Sequence, residues 1–319
     1  MKILVLGAGG IGGYFGGRLA EAGVDVTFLV RPGRRAQLER DGLRIESVLG
    51  NVQLPVKTVL ADAVTPDYGV VLFTCKAYDL DSAMAAIAPA MTGQAAVVPM
   101  LNGIAHMDRL DERFGRANVL GGTCQINVSL GKDGVVRHND PLQRITFGER
   151  DAATADRAAA LGEAFAKTKL DWKQSKKIDL DLWEKLVFLS ALAATTCLFR
   201  GNVGEIVAAP GGREAMERAL AANVEIATRA GYTPRPALVD GATKRLTDPA
   251  GNWSASMLRD MEAGGAVEAD HVIGWMLAQA RTHGVDDTIL SLAYTHLKTY
   301  EARKRLRPAP MSDPALAGG

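Results

Sequence analysis

A glycine-rich motif near the N-terminus constrains the fold of this chain more than any other feature. An apolar run at residues 2–6 precedes Gly7-Ala8-Gly9-Gly10-Ile11-Gly12, which is followed by an amphipathic stretch from Tyr14 to Ala22 and a β-rich run from Val24 to Val30. Strand, glycine turn, helix and strand in this order are the context in which G-x-G-x-x-G indicates a dinucleotide-binding fold. We therefore predict an α/β fold that begins with a Rossmann-type, doubly wound parallel sheet.

Each glycine of the motif has a predicted role in binding a dinucleotide. Gly7 permits the tight turn after the strand, Gly9 lets the backbone approach a pyrophosphate, and Gly12 lets helix and strand pack closely. The N-terminus of the helix then offers N–H groups and a positive dipole end to the phosphates. A glycine turn without a ligand is the alternative, which the surrounding strand-helix-strand pattern disfavours.

The end of the second strand indicates which dinucleotide is bound. An NAD enzyme usually has Asp or Glu there, about 20 residues past the glycines, to hold the ribose 2′-hydroxyl. This chain has Arg31 at that place, with Arg34 and Arg35 close behind, while Asp25 lies at the beginning of the strand. Because a guanidinium suits a 2′-phosphate, we predict NADPH as the cofactor. A solvated arginine loop is the alternative.

Composition excludes several classes of function. The 319 residues are 47% apolar and 23% charged with a net charge of +1, so no charged field points to nucleic acid or a membrane. Three widely separated cysteines, Cys75, Cys124 and Cys197, fit a reducing cytoplasm better than a disulfide framework.

The histidines lack H-E-x-x-H spacing, so no metal site is expected. The apolar stretch from Leu186 to Phe199 is short for a membrane span and predicts a buried helix.

The pattern along the chain predicts two domains. Up to Gly148, short β-rich runs alternate with helical stretches, and residues 134–138 and 144–148 look like two strands of a hairpin-like edge. From about Ile178 onward nearly everything is helical. We predict an NADP-binding Rossmann domain over residues 1–175, a helical substrate and catalytic domain over 176–306, and a disordered tail over 307–319.

Several residues outside the glycine motif could take part in chemistry. Lys185 is predicted to begin an otherwise apolar helix, where burial would lower the pKa of a lysine and suit it to donate a proton. A lysine that simply reaches solvent is the alternative. Asn102 and Lys76 each follow an apolar strand, at the sheet edge where such folds bind ligands. For Ser256 and Glu268, an ordinary cap or surface role is the alternative.

Together these residues resemble one known family, the ketopantoate reductase (2-dehydropantoate 2-reductase) family, over nearly the whole chain. The motifs that carry the resemblance are, in order, GAGGIGGYFGGRLAEAG, LVR at 29–31, TCKAYD at 74–79, LNG at 101–103, WEKL at 183–186 and SMLRDMEAGGAVEADHVIG at 256–274. The resemblance implies a Rossmann domain followed by a helical domain. It also implies reduction of a 2-oxo acid to a 2-hydroxy acid with NADPH.

The resemblance assigns roles residue by residue. Lys185 matches the catalytic lysine that protonates the carbonyl oxygen, and Glu268 matches the acidic residue that organises lysine and substrate. Ser256 matches a substrate-binding serine, and Asn102 matches an asparagine between cofactor and substrate. The last two matches place Arg31 on the 2′-phosphate and Lys76 near the cofactor.

The chain departs from the family pattern in the substrate pocket. The family commonly carries asparagines four and eight residues after the lysine, where this chain has Leu189 and Ala193. A further expected asparagine falls at or beside Trp253. A site that lacks hydrogen-bonding groups discriminates weakly between substrates through them. The residues thus predict reduction of a 2-oxo acid, whereas specificity for 2-dehydropantoate does not follow from them.

The main hypothesis is the conversion of 2-dehydropantoate to pantoate, as in pantothenate biosynthesis, with the nicotinamide between the two domains. The first alternative is a related reductase or dehydrogenase for a more apolar oxo substrate. The second is an NADP(H)-binding regulator without catalysis, and a flavin enzyme is a weaker third. The expected partner is a small 2-oxo acid, with no nucleic acid and no membrane, and a homodimer is one option for the assembly.

Overall fold

A computed structural model describes residues 1–306, and the predicted tail at 307–319 lies outside the described residues. The contacts within the chain divide it into two compact units, Met1–Trp183 and a second unit that begins at Glu184. This division lies within one helix, Ile178–Phe199, whereas the boundary predicted near residue 175 lies just before that helix.

The first unit is an α/β structure, as predicted. Its elements in chain order are β1 (Ile3–Leu6), α1 (Gly10–Glu21), β2 (Val26–Leu29), α2 (Pro32–Asp41), β3 (Leu43–Ser47), β4 (Val52–Leu54), β5 (Lys57–Val59), β6 (Val70–Phe73), α3 (Leu80–Ile87), β7 (Ala96–Pro99), α4 (His106–Phe114), β8 (Gly121–Leu130), β9 (Val135–Gly148), α5 (Ala155–Ala166) and β10 (Asp171–Gln174). Five of the strands form a parallel sheet in the order β5-β2-β1-β6-β7. The strand order reverses beside β1, which is where ligands bind in such sheets.

A second sheet was not foreseen. It has the order β10-β9-β3-β4, and β8 pairs antiparallel with β9. The prediction of two separate strands at residues 134–138 and 144–148 was wrong, because both belong to the single strand β9. Residues 139–142, Asn-Asp-Pro-Leu, form an irregularity in its pairing with β8, where the register jumps from Gln143 opposite Ile126 to His138 opposite Val128. A bulge of this kind interrupts the sequence pattern without ending the strand.

Helix α1 packs between the two sheets, and its glycines make this possible. A Cβ atom on Gly16 would lie 2.8 Å from Cε1 of Phe28 in the parallel sheet, and one on Gly12 would overlap the carbonyl oxygen of Gly7. On the other side, a Cβ on Gly13 would lie 2.8 Å from Cγ2 of Val136 in the second sheet, and one on Gly17 would be as tightly placed. The helix therefore approaches both sheets more closely than any side chain allows.

Two apolar cores hold this unit together. One contains buried side chains of α1 and of both sheets, among them Phe15, Phe28 and Ile45. The other lies on the opposite face of the parallel sheet and includes Phe73 of β6 and Leu110 of α4. Apolar burial on both faces explains why the parallel strands are almost continuously apolar.

In the described residues of the second unit, the regular secondary structure consists of helices and contains no strand. After α6 (Ile178–Phe199) come α7 (Val203–Ala208), α8 (Gly212–Arg229), α9 (Pro236–Leu246), α10 (Ser256–Glu262), a π-helical turn (Asp270–Gly274), α11 (Trp275–His283) and α12 (Thr288–Leu306). Local capping supports these boundaries. Asn202 and Glu205 form a reciprocal capping box at the start of α7, and α9 begins with Pro236.

Helix α6 is longer than its apolar stretch suggested, because it begins at Ile178 and has 22 residues. Within residues 1–306 it is the one helix whose length and composition would allow it to cross a membrane. About 72% of its most apolar window is buried within the structure, and the core helix of a soluble protein passes the same test.

The close packing of α1 leads to a prediction about stability. We expect Gly12→Ala to lower the free energy of unfolding by about 3 kcal/mol or more, because the added methyl group would collide with backbone and cannot be accommodated by a side-chain rotation. Gly33→Ala in α2 is the matched control, since its Cβ would meet nothing within 4 Å. Denaturant unfolding of both variants tests this, and equal stabilities would contradict it.

Candidate active site

The carboxyl ends of four parallel strands form a level edge in the first unit. Leu29, Leu6, Phe73 and Pro99 pair with one another across β2, β1, β6 and β7 in that order. The edge therefore spans three strand spacings, or about 14 Å. Every binding residue predicted for this unit follows one of these four strands: Gly7, Ala8, Gly9, Gly10, Ile11, Gly12, Arg31, Lys76 and Asn102.

The glycine loop has the geometry of a phosphate cradle. Gly7 adopts a φ of 88°, which favours glycine, and turns the chain sharply off β1. A Cβ on Gly9 would meet no atom within 4 Å, so the loop presents open space at that residue. The space that Gly12 leaves is filled by the hydroxyl of Thr74, which donates to the carbonyl of Leu6 at 2.6 Å. These features fit a dinucleotide phosphate.

Arg34 is a residue of this loop region that the sequence did not single out for a role. Its Nε donates to the carbonyl of Ala8 at 3.1 Å, and its Nη1 donates to Gln37 at 2.7 Å and to the carbonyl of Gly134 at 2.9 Å. A trans peptide points its N–H opposite to its carbonyl, so this contact turns the N–H of Gly9 away from Arg34. No acceptor within residues 1–306 pairs with that N–H.

The charge of Arg34 is poorly compensated. Burial, with a contribution from Arg44, lowers the pKa of its guanidinium, and no carboxylate in the described chain forms an ion pair with it. Its Nη2 is buried without a hydrogen-bond partner among the described residues. An uncompensated cation beside a glycine loop favours an anion at that loop.

Arg31 and Lys76 are more accessible. Arg31 immediately precedes α2, its side chain is 81% exposed, and it lies 3.3 Å from the carboxylate of Asp79. Lys76 is exposed and directly precedes the short helical turn Ala77–Asp79. Asn102 is half-buried beyond β7, beside Gly103, whose φ is 77°. These side chains therefore stand along the same edge as the glycine loop.

The second unit places Lys185, Leu189 and Ala193 on one face of α6, a turn apart from each other. Lys185 and Leu189 are half-buried, whereas Ala193 is 1% exposed. The prediction that Lys185 begins this helix was wrong, because α6 starts seven residues earlier, at Ile178. Leu189 and Ala193, where the resemblance led us to expect asparagines, are aliphatic residues of the same face.

The residue that directly precedes Lys185 in sequence, Glu184, carries a buried carboxylate that nothing in the sequence had indicated. Glu184 is 2% exposed, and its carboxylate accepts from the backbone N–H of Arg235 at 2.8 Å and from Nε of the same residue at 2.8 Å. Arg235 also pairs with it through Nη2. This pair connects α6 to the first residue before α9 and thereby orients the turn that carries Lys185.

Ser256 and Glu268 occupy the starts of two further helices. Ser256 is the first residue of α10, and the N–H of Ala255 donates to the hydroxyl of Thr196 on α6 at 3.4 Å. Thr196 lies on the Lys185 face, about 16 Å farther along the helix. Glu268 is 9% exposed and stands just before the helix that begins with the π-helical turn.

Within residues 1–306, no group of three or more His, Cys, Asp or Glu side chains could hold a metal ion.

Comparison with known proteins decides the family. A family model described as ketopantoate reductase PanE/ApbA matches residues 3–152, and the model of its C-terminal part matches residues 177–301. The chain belongs to the ketopantoate reductase family. It is an oxidoreductase of that family, and the fold expected from the resemblance is confirmed.

Relatives of this ketopantoate reductase family member span nearly its full length. An uncharacterized oxidoreductase, YkpB of Bacillus subtilis, is 36% identical over 95% of this chain and 100% of that protein. A 2-dehydropantoate 2-reductase of Halobacterium salinarum is 28% identical over 89% of this chain and 94% of its own.

Solved structures show the same fold. A PanE/ApbA family ketopantoate reductase from Ralstonia eutropha is 25% identical with a TM-score of 0.85, covering 96% of this chain and 100% of that one. A D-mandelate dehydrogenase, solved with NADH and anilino(oxo)acetate, has the same TM-score and coverage at 18% identity. The second likeness concerns the fold alone.

The ion pair between the buried Glu184 and Arg235 leads to a second prediction. We expect Glu184→Ala to lower the free energy of unfolding by about 2 kcal/mol, because it leaves a half-exposed guanidinium and a helix N–H without their acceptor. Glu217→Ala is the matched control, since its carboxylate lies 3.9 Å from Arg213 with both groups exposed. Thermal or denaturant unfolding distinguishes them, and an equal effect of the two changes would refute the structural role of Glu184.

Proposed function

We propose that this protein is a cytoplasmic, NADPH-dependent reductase that converts a 2-oxo acid to the 2-hydroxy acid. The observation that carries the proposal is the level edge of the parallel sheet, where the glycine loop, Arg31, Lys76 and Asn102 follow neighbouring strands. A chain of this family with such an edge has the parts needed to bind a dinucleotide along the sheet. The conversion of 2-dehydropantoate to pantoate is the first candidate reaction.

NADPH is the proposed cofactor because basic residues follow β2 where an acid would serve NAD. Arg31 is exposed and can turn toward a 2′-phosphate, while Arg34 keeps the loop peptide oriented and adds positive charge. Lys76 supplies a further cation at the neighbouring strand end. The phosphates would rest on the N–H groups at the start of α1.

The reaction requires a hydride and a proton. When bound, the reduced nicotinamide supplies the hydride to the carbonyl carbon. Lys185 then donates its proton from Nζ to the carbonyl oxygen, and Glu268 keeps the ammonium oriented toward the substrate. Asn102 helps hold substrate and cofactor together, and Ser256 binds the substrate. Next to Lys185 in sequence, Leu186 and Val187 are buried in the second unit, which fixes the turn that carries the lysine.

A more apolar 2-oxo acid is the second candidate substrate. Neither Leu189 nor Ala193 can hydrogen-bond a substrate hydroxyl, and both lie on the Lys185 face of α6. The fold likeness to a D-mandelate dehydrogenase, whose structure contains anilino(oxo)acetate, supports testing aromatic 2-oxo acids.

A panel of 2-oxo acids with NADPH tests the proposal. Reduction of 2-dehydropantoate with a kcat/KM far above the rest would support the first candidate. A preference for aromatic or branched 2-oxo acids would support the second. If NADPH binds but no oxo acid oxidises it, the proposed catalysis is wrong and a regulatory protein is left.

The proton donor gives a specific prediction. Lys185→Ala is expected to lower kcat by about 100- to 10,000-fold, the usual contribution of a positioned general acid, with the Kd for NADPH nearly unchanged. Lys176→Ala, an exposed lysine that precedes α6, is the control and should leave both quantities unchanged. Steady-state rates and NADPH fluorescence titrations measure the two effects. Unchanged turnover in Lys185→Ala would overturn the assignment.

The cofactor preference gives another prediction. Arg31→Ala is expected to lower kcat/KM for NADPH by about 10- to 100-fold and to change that for NADH little, because only NADPH carries the 2′-phosphate. Arg35→Ala is the control, since Arg35 forms an exposed ion pair with Glu39. Equal losses with both cofactors in Arg31→Ala would show that Arg31 does not contact the phosphate.

A further inference from the structure

Arg245, near the C-terminal end of α9, packs against two aromatic rings of the second unit. Its guanidinium carbon lies 4.6 Å from the centre of the Phe188 ring and 5.9 Å from that of Trp253. We propose that Arg245 binds the carboxylate of the substrate, a 2-oxo acid with an apolar side chain. This inference rests on the proposed function and specifies which group recognises the acid.

The position of these rings connects Arg245 to the proposed reaction. Phe188 follows Lys185 by three residues on α6, a spacing that brings their Cβ atoms to about 5–6 Å. Trp253 precedes Ser256 by three residues, in the segment joined to α6 through Ala255. The arginine is thus beside the strip of α6 that extends from the proposed proton donor toward Ser256.

The charge of Arg245 is uncompensated in the described part of the chain. Its side chain is exposed, and no ion pair or hydrogen bond involves it within residues 1–306. In contrast, Arg213, Arg218 and Arg229 of α8 each bond a carboxylate or a carbonyl. The stacked rings hold the guanidinium in place without using its N–H groups.

A guanidinium stacked on aromatic rings is well suited to a carboxylate. A guanidinium held over an aromatic ring still offers a fork of N–H donors that matches two carboxylate oxygens. Trp253 adds a second sign of incomplete bonding, because its Nε1 is buried without a partner among the described residues. Unsatisfied buried donors are uncommon, and a bound polar group is one way in which they become satisfied.

The surroundings indicate the remainder of the substrate. Leu189, Phe188 and Trp253 are partly exposed and offer apolar or aromatic surface near Arg245. A carboxylate held by Arg245 would place the adjacent carbonyl toward Lys185 and leave an aryl or branched alkyl group against this surface. Recognition of the acid would then depend on one charged side chain and not on a set of amides.

Kinetics with an acid and its ester test the inference. We expect Arg245→Gln to lower kcat/KM for phenylglyoxylate about 100-fold and that for its methyl ester less than about threefold, since the ester lacks the charge. Arg245→Lys should be intermediate, because it keeps the charge and loses the planar fork. Lys244→Gln is the matched control from the same helical turn and should change neither substrate. Equal losses for acid and ester in Arg245→Gln would overturn the inference.

A binding measurement separates this inference from the proposed function. Calorimetric titration of phenylglyoxylate into the protein saturated with NADP⁺ needs no turnover. Binding to the wild type that is lost in Arg245→Gln and kept in Lys244→Gln supports the inference, even if no oxo acid is ever reduced. Absence of binding to the wild type, or equal binding to Arg245→Gln, refutes it, even if 2-dehydropantoate proves to be the substrate.

Discussion

The close approach of helix α1 to both sheets is the constraint on which the first unit depends. Glycines on two faces of this helix remove the side chains that would hold the sheets apart, and the contacts with Phe28 and Val136 fill the space instead. Since the glycine loop leads directly into α1, the packing that builds the core also positions the N-terminus of this helix at the sheet edge. Stability and dinucleotide geometry therefore depend on the same residues.

The level edge of the parallel sheet determines how the sequence motifs combine. The turn at Gly7, the arginine after β2, the lysine after β6 and the asparagine after β7 are far apart in sequence. Parallel pairing in register brings all four to one side of the sheet. In the second unit, α6 organises a separate set of groups by helical spacing, with Glu184 and Arg235 holding the turn next to Lys185.

Much of this arrangement could be predicted because its causes are local. A G-x-G-x-x-G motif between two β-rich runs determines a turn and a helix start, and helical periodicity places Leu189 and Ala193 beside Lys185. The second sheet could not be predicted in the same way, because β9 contains a bulge that looks like a turn in sequence. The glycine pairs Gly12-Gly13 and Gly16-Gly17 indicate a second sheet, since a helix with small residues on two faces packs against two partners.

The sequence by itself determined the family, the Rossmann start, the helical second half and the candidates for cofactor and proton chemistry, because each depends on short-range patterns. Only the tertiary structure shows the contacts of Arg34, Glu184 and Arg245. Each of these charged residues looks like an ordinary surface group in sequence. Its role depends on partners distant in the chain: the carbonyl of Ala8, the backbone of Arg235, and two aromatic rings. Long-range contacts decide which charges are buried, paired or available to a ligand.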